Sequence, residues 1–368
     1  MIYLDSAATT LQKPRSVPSA VAGAIGSMTT PGRGEHSASR LAADTMLTMR
    51  TMACELFDVS TPEQVVLTMN ATHALNLAIK SIVKPGDTVA ISGYEHNAVT
   101  RVLHSIADVS VRVVNGELFN ADQMAEGFER VLREGVKAAV CTHTSNVFGY
   151  TLPIDDIAQL CKNYGVPLIV DASQSAGIVP VHLQAWGAAY VAMPGHKGLY
   201  GPQGTGLLLC GDGYLPEPLL YGGTGSLSRL QEMPDFLPDR VEAGTQNVCG
   251  AAGLLEGMRF VKSFAPGKIS HYEGELISVL AQGLRKKGNY RVFHAGGHTS
   301  VLSVVPWDIT PEELGERLAA NGVATRAGLH CAPLAHMTAG TERTGTLRFS
   351  ASVFNTISEI ERVLQLMS

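Results

Sequence analysis

The sequence predicts an α/β fold: a mostly parallel, seven-stranded sheet with helices on both faces, followed by a smaller α+β domain. Three observations carry that expectation. Short apolar runs recur from residue 65 to 210, the stretches between them are long enough for a helix, and beyond about residue 250 longer helical patterns alternate with well-separated strands. The runs are Val65-Val66-Leu67, Thr88-Val89-Ala90-Ile91, Val111-Arg112-Val113-Val114, Ala138-Ala139-Val140-Cys141, Leu168-Ile169-Val170-Asp171, Tyr190-Val191-Ala192 and Gly206-Leu207-Leu208-Leu209. Near-continuous apolar runs of this length read as strands buried on both faces. Helical stretches at 72–83, 121–134 and 154–164 alternate with them, the pattern of βα repeats. Ligands bind such sheets beyond the carboxyl ends of the strands, so the chemistry is expected there.

The later part of the chain carries strands in Thr299-Ser300-Val301-Leu302-Ser303-Val304-Val305 and Thr346-Leu347-Arg348-Phe349-Ser350. Thr310-Pro311-Glu312-Glu313 starts a helix, with Thr as N-cap, Pro at N1 and Glu at N3, and Asn321-Gly322 stops it. A terminal helix keeps Ile357, Ile360, Leu364 and Met367 on one face. These patterns divide the chain into a large domain over 15–255 and a small one over 256–368, with segment 1–14 packing against the latter. No repeat or low-complexity tract interrupts either.

The 368 residues are 45% hydrophobic and 17% charged, a composition that excludes charge-driven disorder. The net charge of −5 comes with scattered Lys and Arg, so neither nucleic acid nor an anionic membrane is an expected partner. Cys54, Cys141, Cys161, Cys210, Cys249 and Cys331 contain no CxxC pair, against a disulfide framework or a zinc knuckle. The first residues lack a basic and apolar leader, and no apolar run approaches the ~18 residues of a membrane span. A soluble, cytoplasmic protein is expected. Many of the 38 glycines sit where apolar runs end, which suggests a backbone shaped around a ligand.

Asp171 ends a fully apolar strand, where a carboxylate needs a cation or a helix to cap. Pro194-Gly195-His196-Lys197-Gly198 follows the next strand and leads into Gly201-Pro202-Gln203-Gly204-Thr205-Gly206. An acid at one strand end and an amine at the next are what pyridoxal phosphate (PLP) requires: a lysine for a Schiff base and an acid for the ring nitrogen. The chain has no GxxxxGK[ST], so a P-loop is excluded. Asn70-Ala71-Thr72 opens a helix whose backbone N–H groups, with the Thr72 hydroxyl, suit a phosphate; Asn70 is equally a plain cap. Glu95-His96 and Ser145-Asn146 follow two further strands, and His96 is either a ring-stacking or a structural histidine. Cys331 stands in Arg326-Ala327-Gly328-Leu329-His330-Cys331-Ala332-Pro333, a loop where Arg326, His330 and His336 favour a thiolate nucleophile. The spacing of His330, Cys331 and His336 fits no standard zinc pattern, so no metal is expected. Arg348 is a surface strand residue or a fork for a substrate carboxylate.

These motifs, from Tyr3-Leu4-Asp5-Ser6-Ala7-Ala8-Thr9 to the Arg348 strand, resemble the class V aminotransferase superfamily, and within it the cysteine desulfurases and selenocysteine lyases. The resemblance implies the fold type I architecture of PLP enzymes and a homodimer with shared active sites. Lys197 resembles the Schiff-base lysine, Asp171 the pyridinium partner, Gln174 the ligand of the ring hydroxyl and His96 the stacking histidine. Ala71, Thr72 and His196 match phosphate-binding positions, and Thr245 in Gly244-Thr245-Gln246-Asn247 the threonine donated by the partner subunit. Asn146 and Arg348 match carboxylate-binding positions, with Arg326 a further substrate contact. The Arg-x-Gly-x-His-Cys pattern is similar to that of type II desulfurases, in which the cysteine accepts sulfur. Pro194 departs from the serine usual at its place, and Gly198 is additional, so the chain belongs on a divergent branch.

The expected activity is therefore PLP-dependent conversion of L-cysteine to L-alanine, with sulfur carried on Cys331 as a persulfide and a sulfur-acceptor protein as a further partner. The alternatives are selenocysteine lyase acting on L-selenocysteine, an aminotransferase or lyase of the same class in which Cys331 is incidental, and a non-catalytic PLP-binding or sulfur-delivery scaffold.

Overall fold

The computed structural model describes residues 1–32, 34–295 and 299–367. The chain opens with β1 (Ile2–Tyr3) and two helices, α1 (Ser16–Ser27) and α2 (Ser37–Phe57). The apolar runs then form β2 (Val65–Thr68), β3 (Thr88–Ser92), β4 (Ser110–Val114), β5 (Ala138–Thr142), β6 (Leu168–Asp171), β7 (Tyr190–Pro194) and β8 (Gly206–Cys210). They make one seven-stranded sheet in the order β2-β8-β7-β6-β5-β3-β4. The pairs from β4 through to β7 are parallel, while β8 runs antiparallel to both β7 and β2. The ends of β2, β3, β5, β6 and β7 thus share one edge of the sheet.

The connecting helices are α3 (Ala71–Ile82), α4 (Asn97–His104), α5 (Ala121–Arg133), α6 (Ile154–Tyr164) and the single-turn α7 (Leu183–Trp186). Because side chains alternate along a strand, each strand feeds two cores. Val66, Val89, Ile91, Val140 and Ile169 meet α3 and α4 on one face. Val65, Ala90, Ala139 and Cys141 meet α2, α5, α6 and α8 (Val248–Lys262) on the other. One expectation fails at the sheet edge: β4 is not buried on both faces, and only Val114 is covered. It pairs with β3 alone, and the face toward α4 leaves Val111 and Val113 exposed.

Past α8 come α9 (Lys268–Lys287), β9 (Tyr290–Phe293), β10 (Val301–Pro306), α10 (Pro311–Ala320), β11 (Val323–Ala324), β12 (Arg326–Gly328), α11 (Pro333–Ala339), β13 (Thr346–Ser350) and α12 (Ile357–Leu366). Four of these strands form an antiparallel sheet, β12-β13-β10-β9. Its core joins Leu302, Val304, Leu347 and Phe349 to Leu276, Leu280 and Leu284 of α9, and Leu4 packs there too. β1 pairs in parallel with β11, which carries the amino-terminal segment to this sheet. α10 has the expected capping box, with the Thr310 hydroxyl accepting from Glu313 N–H and Pro311 at the first position. α12 departs in detail: it buries Ile360 and Val363, whereas Ile357, next to the Thr356 cap, stays exposed. Among the described residues no helix is long and apolar enough to cross a membrane.

Candidate active site

A cavity opens at the shared strand edge. β2 leads into it with Asn70, Ala71 and Thr72, β3 with His96, and β5 with Thr142, Thr144 and Asn146. β6 contributes Asp171, Ser173 and Gln174, and β7 contributes Pro194, His196 and Lys197. Ala71 and Thr72 begin α3, so the unpaired N–H groups of that helix end face the cavity region. Asn70 is indeed the cap, its carboxamide accepting from His73 N–H at 2.9 Å, and it lines the cavity as well.

Lys197 sits in a loop held from several sides. The Thr10 hydroxyl donates to the His196 carbonyl at 3.0 Å, and Lys13 Nζ donates to the same oxygen at 2.9 Å. Tyr200 N–H closes a turn onto the Lys197 carbonyl at 2.9 Å. Gly198 is explained by crowding: a Cβ there would lie 2.4 Å from the Ala176 carbonyl oxygen, which only glycine allows. Burial lowers the Lys197 ammonium to about 8, with Arg348 and Arg326 adding to the effect and Asp171 opposing it. The amine is therefore far easier to deprotonate than a surface lysine.

Asp171 is 2% exposed, and its Oδ1 accepts from Ser173 N–H at 2.9 Å. The helix-capping reading fails, because residues 173–178 form turns and no helix follows until α7, so the carboxylate closes a local turn and lines the cavity. Gln174 Nε2 donates to the Ala7 carbonyl at 2.9 Å, which fixes the carboxamide at the cavity wall. His96 caps α4, its Nδ1 accepting from Ala98 N–H at 3.0 Å, and burial lowers its pKa against the pull of Asp171. His196 shares a hydrogen bond with the Thr9 hydroxyl at 3.0 Å, and burial with neighbouring Lys197 and Lys13 lowers it to about 4. Both imidazoles are consequently neutral near pH 7.

Arg348 is 1% exposed on β13 and is no surface residue. Its Nη2 donates to Asp5 Oδ1 at 2.7 Å and its Nη1 to the Asn146 carbonyl at 3.0 Å, while Nε has no hydrogen-bond partner. Arg326 lies opposite it across the β12–β13 ladder. Cys331 is exposed and lies beside the cavity rather than in its wall, with Arg326 Nη2 at 3.7 Å from Sγ. The expected help from the histidines is corrected. His330 and His336 turn into the interior at 3% and 0% exposure, and burial drives both pKa values down, so neither brings a positive charge to the thiol. The positive charge beside the thiol comes from Arg326, with Arg348 also near enough to act on it. Among the described residues no three His, Cys, Asp or Glu side chains converge to hold a metal ion. Thr245 is exposed and outside this cavity, on a loop anchored by Glu242, which pairs with Arg50 at 2.8 Å.

The sequence reasoning passed over Ser173, Thr142 and Thr144 as cavity residues and Asp5 beside them, and it named Glu95 only together with His96, without a role of its own. Asp5 lay in a motif already singled out, and its partner is Arg348, remote in sequence. Glu95 is fully buried, with Oε1 accepting from the Ser92 hydroxyl at 2.5 Å and from Thr142 N–H at 2.7 Å. Burial, with Asp171 adding a little, pushes it up to about 8.

A half-buried lysine and a buried acid thus line one cavity at the carboxyl edge of a parallel sheet, with a helix start beside them. The aminotransferase class-V family model matches residues 2–363, and the chain belongs to that family. It is 30% identical to a probable cysteine desulfurase of Mycolicibacterium paratuberculosis over 99% of this chain, but spans only 54% of that relative's length. A probable cysteine desulfurase of Vibrio cholerae is 28% identical over 99% of this chain and 92% of its own. The apo cysteine desulfurase structure from Thermococcus onnurineus superposes with a TM-score of 0.90 at 27% identity, covering all of this chain and 93% of the other.

Proposed function

We propose that this chain is a PLP-dependent cysteine desulfurase that converts L-cysteine to L-alanine and carries the sulfur on Cys331. The observation that supports it most is Lys197 and Asp171 lining one cavity, with Arg348 near enough to act on the lysine electrostatically and an exposed thiol, Cys331, 3.7 Å from the Arg326 guanidinium. Relatives named as cysteine desulfurases along the whole chain point the same way.

The donor set fits PLP. Thr72, the α3 N–H groups and His196 would hold its phosphate, Gln174 its ring hydroxyl, Asp171 its ring nitrogen and His96 the ring face. Ser173 supplies a hydroxyl at the wall where Pro194 supplies none. When bound, PLP supplies an aldehyde that condenses with amines and a protonated ring that draws electrons from Cα. Lys197 Nζ, its pKa lowered by burial, takes and returns the Cα proton. Arg348 and Asn146 orient the substrate carboxylate, with Arg326 beside them. Cys331 Sγ, as thiolate, bonds to the substrate sulfur while the Cβ–S bond breaks, and the carbon takes a proton. The products are alanine and the Cys331 persulfide, so every atom of the cysteine is accounted for.

Residues 15–255 are read as the cofactor-binding domain and 256–368 as the smaller one, with 1–14 joining it; the β1–β11 pair and Leu4 in the third core support this. A homodimer in which Thr245 completes the partner's phosphate site is supported by its exposure outside its own cavity. A sulfur-acceptor protein would take the persulfide, and cysteines unbonded to one another accord with a cytoplasmic setting. The test is Cys331→Ser: it should retain PLP and still exchange the Cα proton of L-cysteine, yet lose alanine production. Alkylation after one turnover should find persulfide on Cys331 alone. Desulfuration of L-cysteine by Cys331→Ser at the wild-type rate would overturn the mechanism.

A further inference from the structure

We infer that Asn146 is a positioning residue for Cys331, clamping the thiol loop through the His330 carbonyl and tying that clamp to Arg348. His330 and Cys331 are consecutive non-glycine residues in the left-handed region, with φ of 50° and 57°. Such a pair persists only where its surroundings over-determine it. Three ties do so here. Asn97 N–H donates to the Cys331 carbonyl at 2.7 Å, from the start of α4. The His330 ring places Nε2 at 3.2 Å from the Thr346 carbonyl and 3.1 Å from its hydroxyl, on β13. Asn146 Nδ2 donates to the His330 carbonyl at 2.8 Å.

Of these three, Asn146 alone holds the loop with a side chain that also lines the cavity. Its backbone carbonyl accepts from Arg348 Nη1 at 3.0 Å, and both residues are buried. Arg348 in turn lies opposite Arg326, whose guanidinium reaches the thiol. Asn146 therefore joins the cavity wall to the backbone of the strained pair through its carboxamide, and to the buried arginine through its own backbone carbonyl. A ligand carboxylate engaging the Asn146 carboxamide bears directly on the tie that fixes Cys331, and one engaging Arg348 reaches it only through the Asn146 backbone. The role of that thiol as sulfur acceptor rests on the function proposed above, whereas the clamp does not.

The test uses Asn146→Asp, which sets an acceptor against the His330 carbonyl, and Asn146→Ser, which withdraws the donor with less electrostatic penalty. Hydrogen exchange of the holoenzyme without L-cysteine, read by mass spectrometry on peptides covering 326–333, should rise by about fivefold, as expected for the loss of one net hydrogen bond. Exchange over β2 and α3 should stay as in wild type, which shows that the variant is folded. With L-cysteine, kcat for alanine should fall more than KM rises, while Cα-proton exchange at saturating substrate persists. If KM alone rises and exchange over 326–333 is unchanged in both variants, Asn146 acts on the substrate only and the clamp is refuted. If exchange rises but wild type itself makes no alanine from L-cysteine, the clamp stands and the desulfurase reading falls.

Discussion

Replacing Glu273 by Gln probes how the lysine loop is fastened to the carboxyl-terminal part of the fold. Tyr200, in the loop that begins at Lys197, has a φ of 54° and packs edge-on against Phe260 and Phe354. Its hydroxyl donates to Glu273 Oε1 of α9 at 3.2 Å and accepts from Val353 N–H at 3.4 Å. Glu273 is 1% exposed, and burial raises its carboxyl from the ordinary 4.5 to about 8, the Tyr200 hydrogen bond offsetting part of the rise. Between those two values the folded protein keeps a proton that the unfolded chain releases. Stability therefore falls as pH rises through that window and levels off above it. A shift of this size corresponds to on the order of 5 kcal/mol when fully expressed. Gln mimics the protonated acid and does not titrate, so Glu273→Gln should gain on wild type as pH increases. Urea midpoints for both proteins from acid to mildly alkaline pH measure the gain. Glu95 is raised into the same range but contributes equally to both proteins, so it cancels in the comparison. Midpoints that run parallel at every pH would refute the reasoning and show that Glu273 is already ionised in the fold.

Two further outcomes follow from the lysine loop. Lys197→Ala should remain folded and bind PLP without a covalent link, losing both turnover and the borohydride-fixed adduct; label on another lysine in wild type would sink the assignment. Gly257→Ala should be destabilising by about 1–3 kcal/mol or more, because the new Cβ would lie 2.2 Å from the Leu199 carbonyl and neither backbone can yield. A thermal melt indistinguishable from wild type would show that α8 and the loop are not in such close contact.

Much of this arrangement was legible in the sequence because each strand is a local signal. Apolar runs, the turn into a helix and the polar residue after the strand all lie within a few positions, so Asp171, Lys197, His96 and Thr72 could be placed before their mutual geometry was known. What was not legible is what depends on contacts remote in sequence. The exposure of β4 follows from its place at the sheet edge, which no run of valines discloses. Asp5 became informative only beside Arg348, more than three hundred positions away. His330 and His336 looked like a cationic setting for Cys331 because the sequence showed their proximity but not their direction, and burial reverses their effect. Gly198 looked like an idiosyncrasy until the Ala176 carbonyl was found against it.

The electrostatics of the site divide its two proposed tasks between buried and exposed groups. Burial and two guanidiniums each disfavour the Lys197 ammonium, while Asp171 and, more weakly, Asp5 pull the other way. That balance leaves the amine able to exchange a proton near neutral pH. Cys331 needs the opposite, a charged thiolate, and it stands exposed where water solvates the charge and Arg326 approaches it. Burying the thiol would have worked against ionisation, as it does for Cys141, Cys161 and Cys210, whose pKa values are all raised by burial. Of these cysteines only Cys331 combines solvent access with a neighbouring cation, so the position of the thiol at the lip of the cavity is part of its chemistry. The same guanidiniums that lower the lysine also line the approach to the thiol. A substrate carboxylate would partly neutralise them and ease the protonation of Lys197 as it takes up the Cα proton.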